Sequence, residues 1–254
     1  MSEPTLRRFG RMMGMPLGLA IHDPLPSATL DRLADEAFGW LAQVDELFGT
    51  QHPRSQINLL DQGLLRPGRA DPLVREVLST CARLHERTNG YFDMHATGRL
   101  DPSEYVEGWA IQRASAMLTR GGAGNHSLRT GDDVSTCGRP GPDRTWRVRI
   151  QDPHRPETLA WIVSASDMAV ATAHHAPGNH IHNPRTRRPA SGLASVTVAG
   201  PDLGVAAAYA TAAVAMGPAA LDWLPGLEGH AHAVIDDEGR CFHGGRVPGV
   251  LLLA

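Results

Sequence analysis

From Thr29 to Phe48 the apolar residues Leu30, Leu33, Ala34, Ala37, Leu41, Val44 and Phe48 recur every three or four positions, the period of a helix with one buried face. Ser27 is expected to cap it. The same spacing at Val74, Val77, Leu78, Cys81 and Leu84 predicts a second helix from Leu73 to Glu86 that stops at "TNG". A third starts near Ser103 and leaves through "TRGGAG". The second half of the chain reads differently. "WRVRI" (146–150), "LAWIVSASDMAVAT" (159–172), "LASVTVAG" (193–200) and "HAVID" (232–236) are strand candidates, with the alanine-rich helix "LGVAAAYATAAVAM" between the last two. An earlier strand, "MMGMPLGLAI" (12–21), is interrupted near Pro16. Helices and strands mix without strict alternation, which predicts an α+β fold with mixed or antiparallel sheets packed against helices. There is no repeat and no long linker, so residues 1–254 are expected to form one domain.

Composition narrows the function classes. With 254 residues, 42% of them hydrophobic and 20% charged, the chain can bury a proper core. A formal charge of -3 leaves no electrostatic footprint for nucleic acid. Every basic residue is Arg and none is Lys, which excludes Schiff-base chemistry and a P-loop lysine. Cys81, Cys137 and Cys241 are unclustered, so neither a disulfide framework nor a CxxC metal site is expected. The amino-terminal segment has no uninterrupted apolar run, and the expectation is a cytoplasmic protein without a membrane partner.

The segment "ATAHHAPGNHIHNPRTRRP" (171–189) concentrates the chemistry, with four histidines and three arginines. An H-x-H pair in extended backbone puts both rings on one face, and imidazole suits transition metals or acid/base work near neutral pH. His180 and His174 are therefore the candidate catalytic groups, and His174, His175, His180 and His182 a candidate site for a transition metal or haem. The guanidinium of Arg185 suits a carboxylate or phosphate on a small ligand, whereas Arg187 and Arg188 read as a solvated basic loop. Glu107, Asp132 and Asp133 form a possible acidic wall. His230 and His232 read as decorating a strand edge, and Trp109, Tyr91 and Phe92 as core.

Six blocks carry a family resemblance: "SQINLL" (55–60), "TNGYFD" (88–93), "LDPSEYVEGWAIQRA" (100–114), "RTGDDVSTCG" (129–138), "VATAHHAPGNHIHNPRTRRPASGLASVTV" (170–198) and "AAAYATAAVAMG" (206–217). In order and spacing they resemble the ApbE-type FAD:protein FMN transferases, over roughly residues 8–245. The resemblance implies the ApbE-like fold and an enzyme that binds FAD with magnesium. Such an enzyme cleaves the pyrophosphate, joins FMN to a Thr or Ser of a target protein and releases AMP. Matching positions are His180, Pro184, Arg185, Thr186, Thr211, Asp93, Ser55, Asn58, Gly108 and Ala110. Other positions depart from the family pattern. Ala207 stands where the family has an acidic magnesium ligand four residues before Thr211, and Glu107-Gly108 replaces a Lys-Gly pair. Gln112 replaces a helix Asp, and Gly131-Asp132-Asp133 replaces a G-G-D turn. Thr172-Ala173-His174 and Asn183-Pro184-Arg185-Thr186-Arg187 replace T-S-G and D-P-R-T-G.

These departures fall on metal, phosphate and turn positions, while scaffold positions match. The expectation is a repurposed enzyme acting on a small molecule, of a kind used in secondary metabolism, with His180 and His174 as acid/base or metal groups in the former FAD pocket. Thr172, Asn183, Arg185, Asp93, Glu107, Asp132 and Thr211 are the expected substrate or cofactor contacts. One alternative is an active FMN transferase using FAD, magnesium and a flavin-acceptor protein. The other is a non-catalytic binder of flavin or nucleotide.

Overall fold

Met13 and Gly14 both have positive φ, 50° and 84°, and this two-residue turn folds the amino-terminal strand back on itself. Strand β1 (Leu6–Met12) thereby pairs antiparallel with β2 (Met15–Ile21), Met12 opposite Met15. The interruption expected near Pro16 is this turn, and Pro16 itself lies within β2 opposite Arg11. β1 escapes a hydrophobic reading because its "LRRFGRM" alternates between half-buried and exposed positions without a strong apolar face. The computed structural model describes residues 3–175, 180–247 and 251–253; the middle of the histidine-rich segment, 176–179, lies outside the described residues.

Helix α1 (Ser27–Phe48) buries all seven residues that its period singles out. Ser27 is its first residue and not its cap, because Pro26 holds the preceding position and no side chain caps the end. The polar stretch after it contains an unexpected short helix, α2 (Gln56–Asp61), started by the Ser55 hydroxyl accepting the Asn58 N–H. α3 (Pro72–Arg87) is capped by Asp71 and buries Val74, Val77, Cys81 and Leu84. α4 (Ser103–Arg120) follows, starting where expected. Next come β3 (His126–Thr130), β4 (Asp133–Cys137), β5 (Trp146–Asp152), β6 (Arg155–Ala165) and β7 (Ala169–His174). The single strand expected over 159–172 is two, broken at Asp167, whose φ is 54°. The short hairpin β8 (His182–Asn183) and β9 (Arg188–Pro189) leads to β10 (Leu193–Gly200) and the alanine-rich α5 (Leu203–Met216). α6 (Ala220–Trp223), β11 (Ala231–Asp236), β12 (Cys241–Gly244) and β13 (Leu251–Leu253) complete the chain.

The expected α+β architecture is present. One sheet of eight antiparallel strands runs β1-β2-β3-β4-β7-β10-β11-β12, and a second of three runs β13-β6-β5. The two-residue period of the central strands divides the core. Ala171, Ala173, Val196, Val198 and Val234 face the helices, while Val170, Ala199, Ala233 and Ile235 meet Val148, Trp161 and Val163 of the small sheet. Thr172 and His174 share the Val170 side of β7, so they look toward the small sheet. His232 sits in β11 between two strands and is 7% exposed, which corrects its reading as a strand-edge residue.

α5 is apolar all round because it is enclosed, with α4 on one side and β7 and β10 on the other. Its approach to α4 is set by glycine. A Cβ on Gly108 would lie 2.7 Å from both the Gly204 nitrogen and the Leu203 carbonyl carbon. Gly108→Ala is therefore expected to lower unfolding free energy by about 2–3 kcal/mol, as overpacking does. Gly39→Ala on α1, where an added Cβ meets nothing within 4 Å, should be neutral or stabilising. Denaturant melts of the two variants check the contrast.

Candidate functional site

The antiparallel packing of α4 on α5 brings Glu104 and Glu107, one helical turn apart, to the height of Thr211. The loop after α3 adds Asp93 and Asp101, and the residues entering β8 add His180 and His182. Together they line a cavity of about 290 Å³. Within it the Thr211 hydroxyl donates to Glu104 Oε2 at 3.1 Å. Asp93 uses its carboxylate to accept the His95 N–H at 2.9 Å, which shapes the loop at the cavity wall. Behind the carboxylates, Asp133 at the tip of the β3–β4 hairpin accepts the Thr172 N–H at 3.0 Å.

These carboxylates are costly as anions. Burial pushes Glu107 up to about 8, and the neighbouring charges of Glu104, Asp133 and Asp101 push the same way. Burial pushes Asp133 up to about 8 as well, partly offset by the Thr172 N–H. Glu104 is raised by its protein surroundings and drawn back by the Thr211 hydroxyl. Glu104 is nonetheless an exposed residue that opens to the cavity. None of the three has an ion-pair partner among the described residues. Glu104 and Glu107 line the cavity that holds the Thr211 hydroxyl, and Asp133 lies outside its lining.

A second cavity, of about 440 Å³, lies where the end of β7 faces the β5–β6 hairpin. It is lined by Asp132, Thr172, His174, His175 and His180 together with Arg149. His174 Nδ1 lies 3.6 Å from Asp132 Oδ2, and the Thr172 and Thr197 hydroxyls are 2.9 Å apart. The rings of His175 and His180 stand 5.7 Å apart, centre to centre, at 52°. Among the described residues, neither buried ring nitrogen of His175 has a hydrogen-bond partner. Burial, reinforced by His180, holds its pKa below the ordinary imidazole value. His180 lines both cavities and is their meeting point.

The sequence-predicted residues divide accordingly. Asp93, Glu107, Thr211, His180 and His182 meet in the first cavity, and Asp132, Thr172, His174, His175 and His180 in the second. The expected four-histidine metal or haem site is not formed: among the described residues no group of three or more His, Cys, Asp or Glu is assembled to hold a metal. His174 is drawn to Asp132, and His182 lines the other cavity. Arg185 and Asn183 line neither of these two cavities, and both make local contacts. The Arg185 guanidinium lies 4.4 Å from the Tyr91 ring centre and donates to the Asn89 carbonyl at 2.9 Å. Asn183 Oδ1 accepts the backbone N–H groups of Arg185 and Thr186. Trp109 is core, edge-on to Trp40 and Phe48, and the half-buried Tyr91 supports Arg185. Glu104 was missed, although "SEYVEG" places it three residues before Glu107, on the same helix face.

Comparison with known proteins gives this geometry a family. The model of the ApbE family matches residues 95–235, which include both helices of the first cavity and the histidine-rich segment. The chain belongs to the ApbE family. An FAD:protein FMN transferase from Rhodobacter capsulatus is 30% identical over 172 residues, covering 61% of this chain and 31% of that protein. The chain thus spans about a third of the length of the curated relative that it matches. Among solved structures, the flavin transferase ApbE from Vibrio cholerae superposes with a TM-score of 0.83 at 18% identity, covering 94% of this chain and 96% of that one. The ApbE protein from Thermotoga maritima gives 0.81 at 17% identity, with the same coverage of both chains. The ApbE-like fold expected from the sequence is the fold observed.

Protonation of Glu107 and Asp133 should be visible in stability. Glu107 and Asp133 start from ordinary values of 4.5 and 3.8 and rise to about 8 in the folded protein, so folding favours their neutral forms. The stability they contribute is present below the unfolded values and lost as pH rises toward 8. Thermal melts in a chelating buffer are expected to show Tm falling across the upper part of that window, by less in Glu107→Gln. A wild-type Tm as flat as that of the variant would contradict the assignment.

Proposed function

We propose that this ApbE-family protein transfers FMN from FAD to a hydroxyl of a target protein, with its acidic oxygen donor moved from α5 to α4. The observation that carries the reading is the 3.1 Å contact between Thr211 and Glu104. At Ala207, 5% exposed and one turn before Thr211, a methyl group offers no oxygen, but Glu104 reaches the same hydroxyl from the facing helix. Hard oxygen donors suit magnesium, and magnesium is commonly held by one or two carboxylates plus substrate phosphates, without a complete protein cage.

The donor set therefore fits the ion that the family implies. Glu104 and Thr211 would hold it, and the bound ion supplies charge neutralisation for the pyrophosphate. The other cavity residues serve the substrate. The two cavities together suit the two halves of a dinucleotide, with His180 between them. In the transfer, the acceptor oxygen bonds to the FMN-side phosphorus, the pyrophosphate P–O bond breaks toward AMP, and His180 is assigned the hydroxyl proton. A flavin-acceptor protein is the implied partner.

The test needs no knowledge of that partner, because water can stand in for the acceptor. Incubation with FAD and magnesium is expected to release FMN and AMP, and a Thr- or Ser-containing acceptor peptide to gain covalent flavin fluorescence. Glu104→Gln should lower the rate at least tenfold, about 1.4 kcal/mol in barrier height. Adding Ala207→Asp to that variant should restore it, since the carboxylate returns from α5. Full activity of Glu104→Gln, or no turnover of FAD by the wild type, overturns the reading.

A further inference from the structure

Strand β1 closes one end of the eight-stranded sheet, so only one of its two backbone edges is paired. Its side chains divide by the two-residue period of a strand. Arg8, on the helix side, is engaged: its guanidinium pairs with Asp35 and lies over the Phe38 ring. Arg7, Phe9 and Arg11 point the other way and are all exposed, Phe9 at 77%. The register runs from Phe9 through Gly18 to the exposed Arg129, then through Val134 to Val170, so this is the side that the small sheet covers farther along. Among the described residues, none of β1, β2 or β3 belongs to the core beneath the small sheet. Gly18 gives the bare stretch its shape. A Cβ there would lie 3.2 Å from Arg129 Cγ and 3.7 Å from Phe9 Cδ1, so the arginine stem and the ring lie side by side over a glycine floor. Arg7, Arg11 and Arg129 have no ion-pair partner among the described residues.

We propose that the free edge and outer face of β1 dock an extended acidic segment of a partner protein, whose backbone continues the sheet and whose carboxylates meet Arg7, Arg11 and Arg129 around Phe9. Charge and shape choose this occupant. Three unpaired guanidiniums complement carboxylates, and the exposed ring among them complements one apolar side chain. An unpaired strand edge offers main-chain hydrogen bonds that an extended polypeptide uses in register, which favours a peptide over a lipid surface or a nucleic acid. A second copy of this strand is disfavoured, since in an antiparallel pair with Phe9 opposite Phe9 each Arg7 falls opposite an Arg11. Arginines alone would keep the edge from pairing with another copy; the ring exposed among them does not serve that end. The proposal does not rest on FMN transfer.

Fluorescence anisotropy with a labelled, end-blocked peptide of sequence Thr-Glu-Thr-Val-Thr-Glu-Thr tests it. The alternation sets a glutamate opposite each arginine of β1 and the valine opposite Phe9. The wild type is expected to bind this peptide at least tenfold more tightly than the same peptide with lysine for glutamate. A version with proline for the two inner threonines, which cannot continue the ladder, should also bind at least tenfold more weakly. Arg7→Glu combined with Arg11→Glu should weaken the acidic peptide at least tenfold, and Phe9→Ser at least threefold, with Tm unchanged because all three positions are exposed. The proposal is overturned if the acidic peptide does not bind at millimolar concentration, if the lysine or proline version binds as tightly, or if phosphatidylserine vesicles or a single-stranded oligonucleotide are bound in preference to it.

Discussion

The close approach of α4 and α5 is the constraint on which the rest depends. Gly108 and Gly204 let the two backbones come together where a single added methyl would collide with main-chain atoms. That spacing puts a glutamate of one helix within hydrogen-bonding distance of a threonine on the other. It also explains the alanine of α5, since a helix enclosed by a second helix and two strands has no room for larger side chains. The fold and the site thus share one packing requirement.

The two cavities differ in sign. One is lined by carboxylates, of which Glu107 is pushed toward its neutral form; the other is lined by imidazoles and a guanidinium together with the carboxylates of Asp132 and Asp152. Neither arrangement is favourable in an empty protein, because unpaired charges and orphaned donors both lose hydration without recompense. His180 lines each of them.

Much of this was legible in the chain. The period of α1 and α3, the start of α4, and the full extent of β10 and α5 follow from hydrophobic spacing and glycine-rich exits. β1 and α2 did not, since one lacks an apolar face and the other is a single capped turn and a half within polar sequence. In the site, Asp93, Thr211 and His180 were found by family resemblance. Ala207 was read as a lost metal ligand because the resemblance compares positions along the sequence, whereas Glu104 reaches Thr211 across a helix interface. The histidines were grouped because they are close in sequence, but Asp132 and the division between two cavities separate them.

The sequence by itself determined the α+β class, the buried faces, the family and the identity of the hydroxyl at the centre of the first cavity. These rest on local periodicity and on residue types at fixed spacing, which the chain carries wherever it folds. Only the tertiary structure decided which carboxylate meets that hydroxyl, which histidines share a cavity, and that Arg185 and Asn183 lie outside both cavities. Those outcomes depend on distances between side chains far apart in the chain, and such distances are set by how helices and sheets pack.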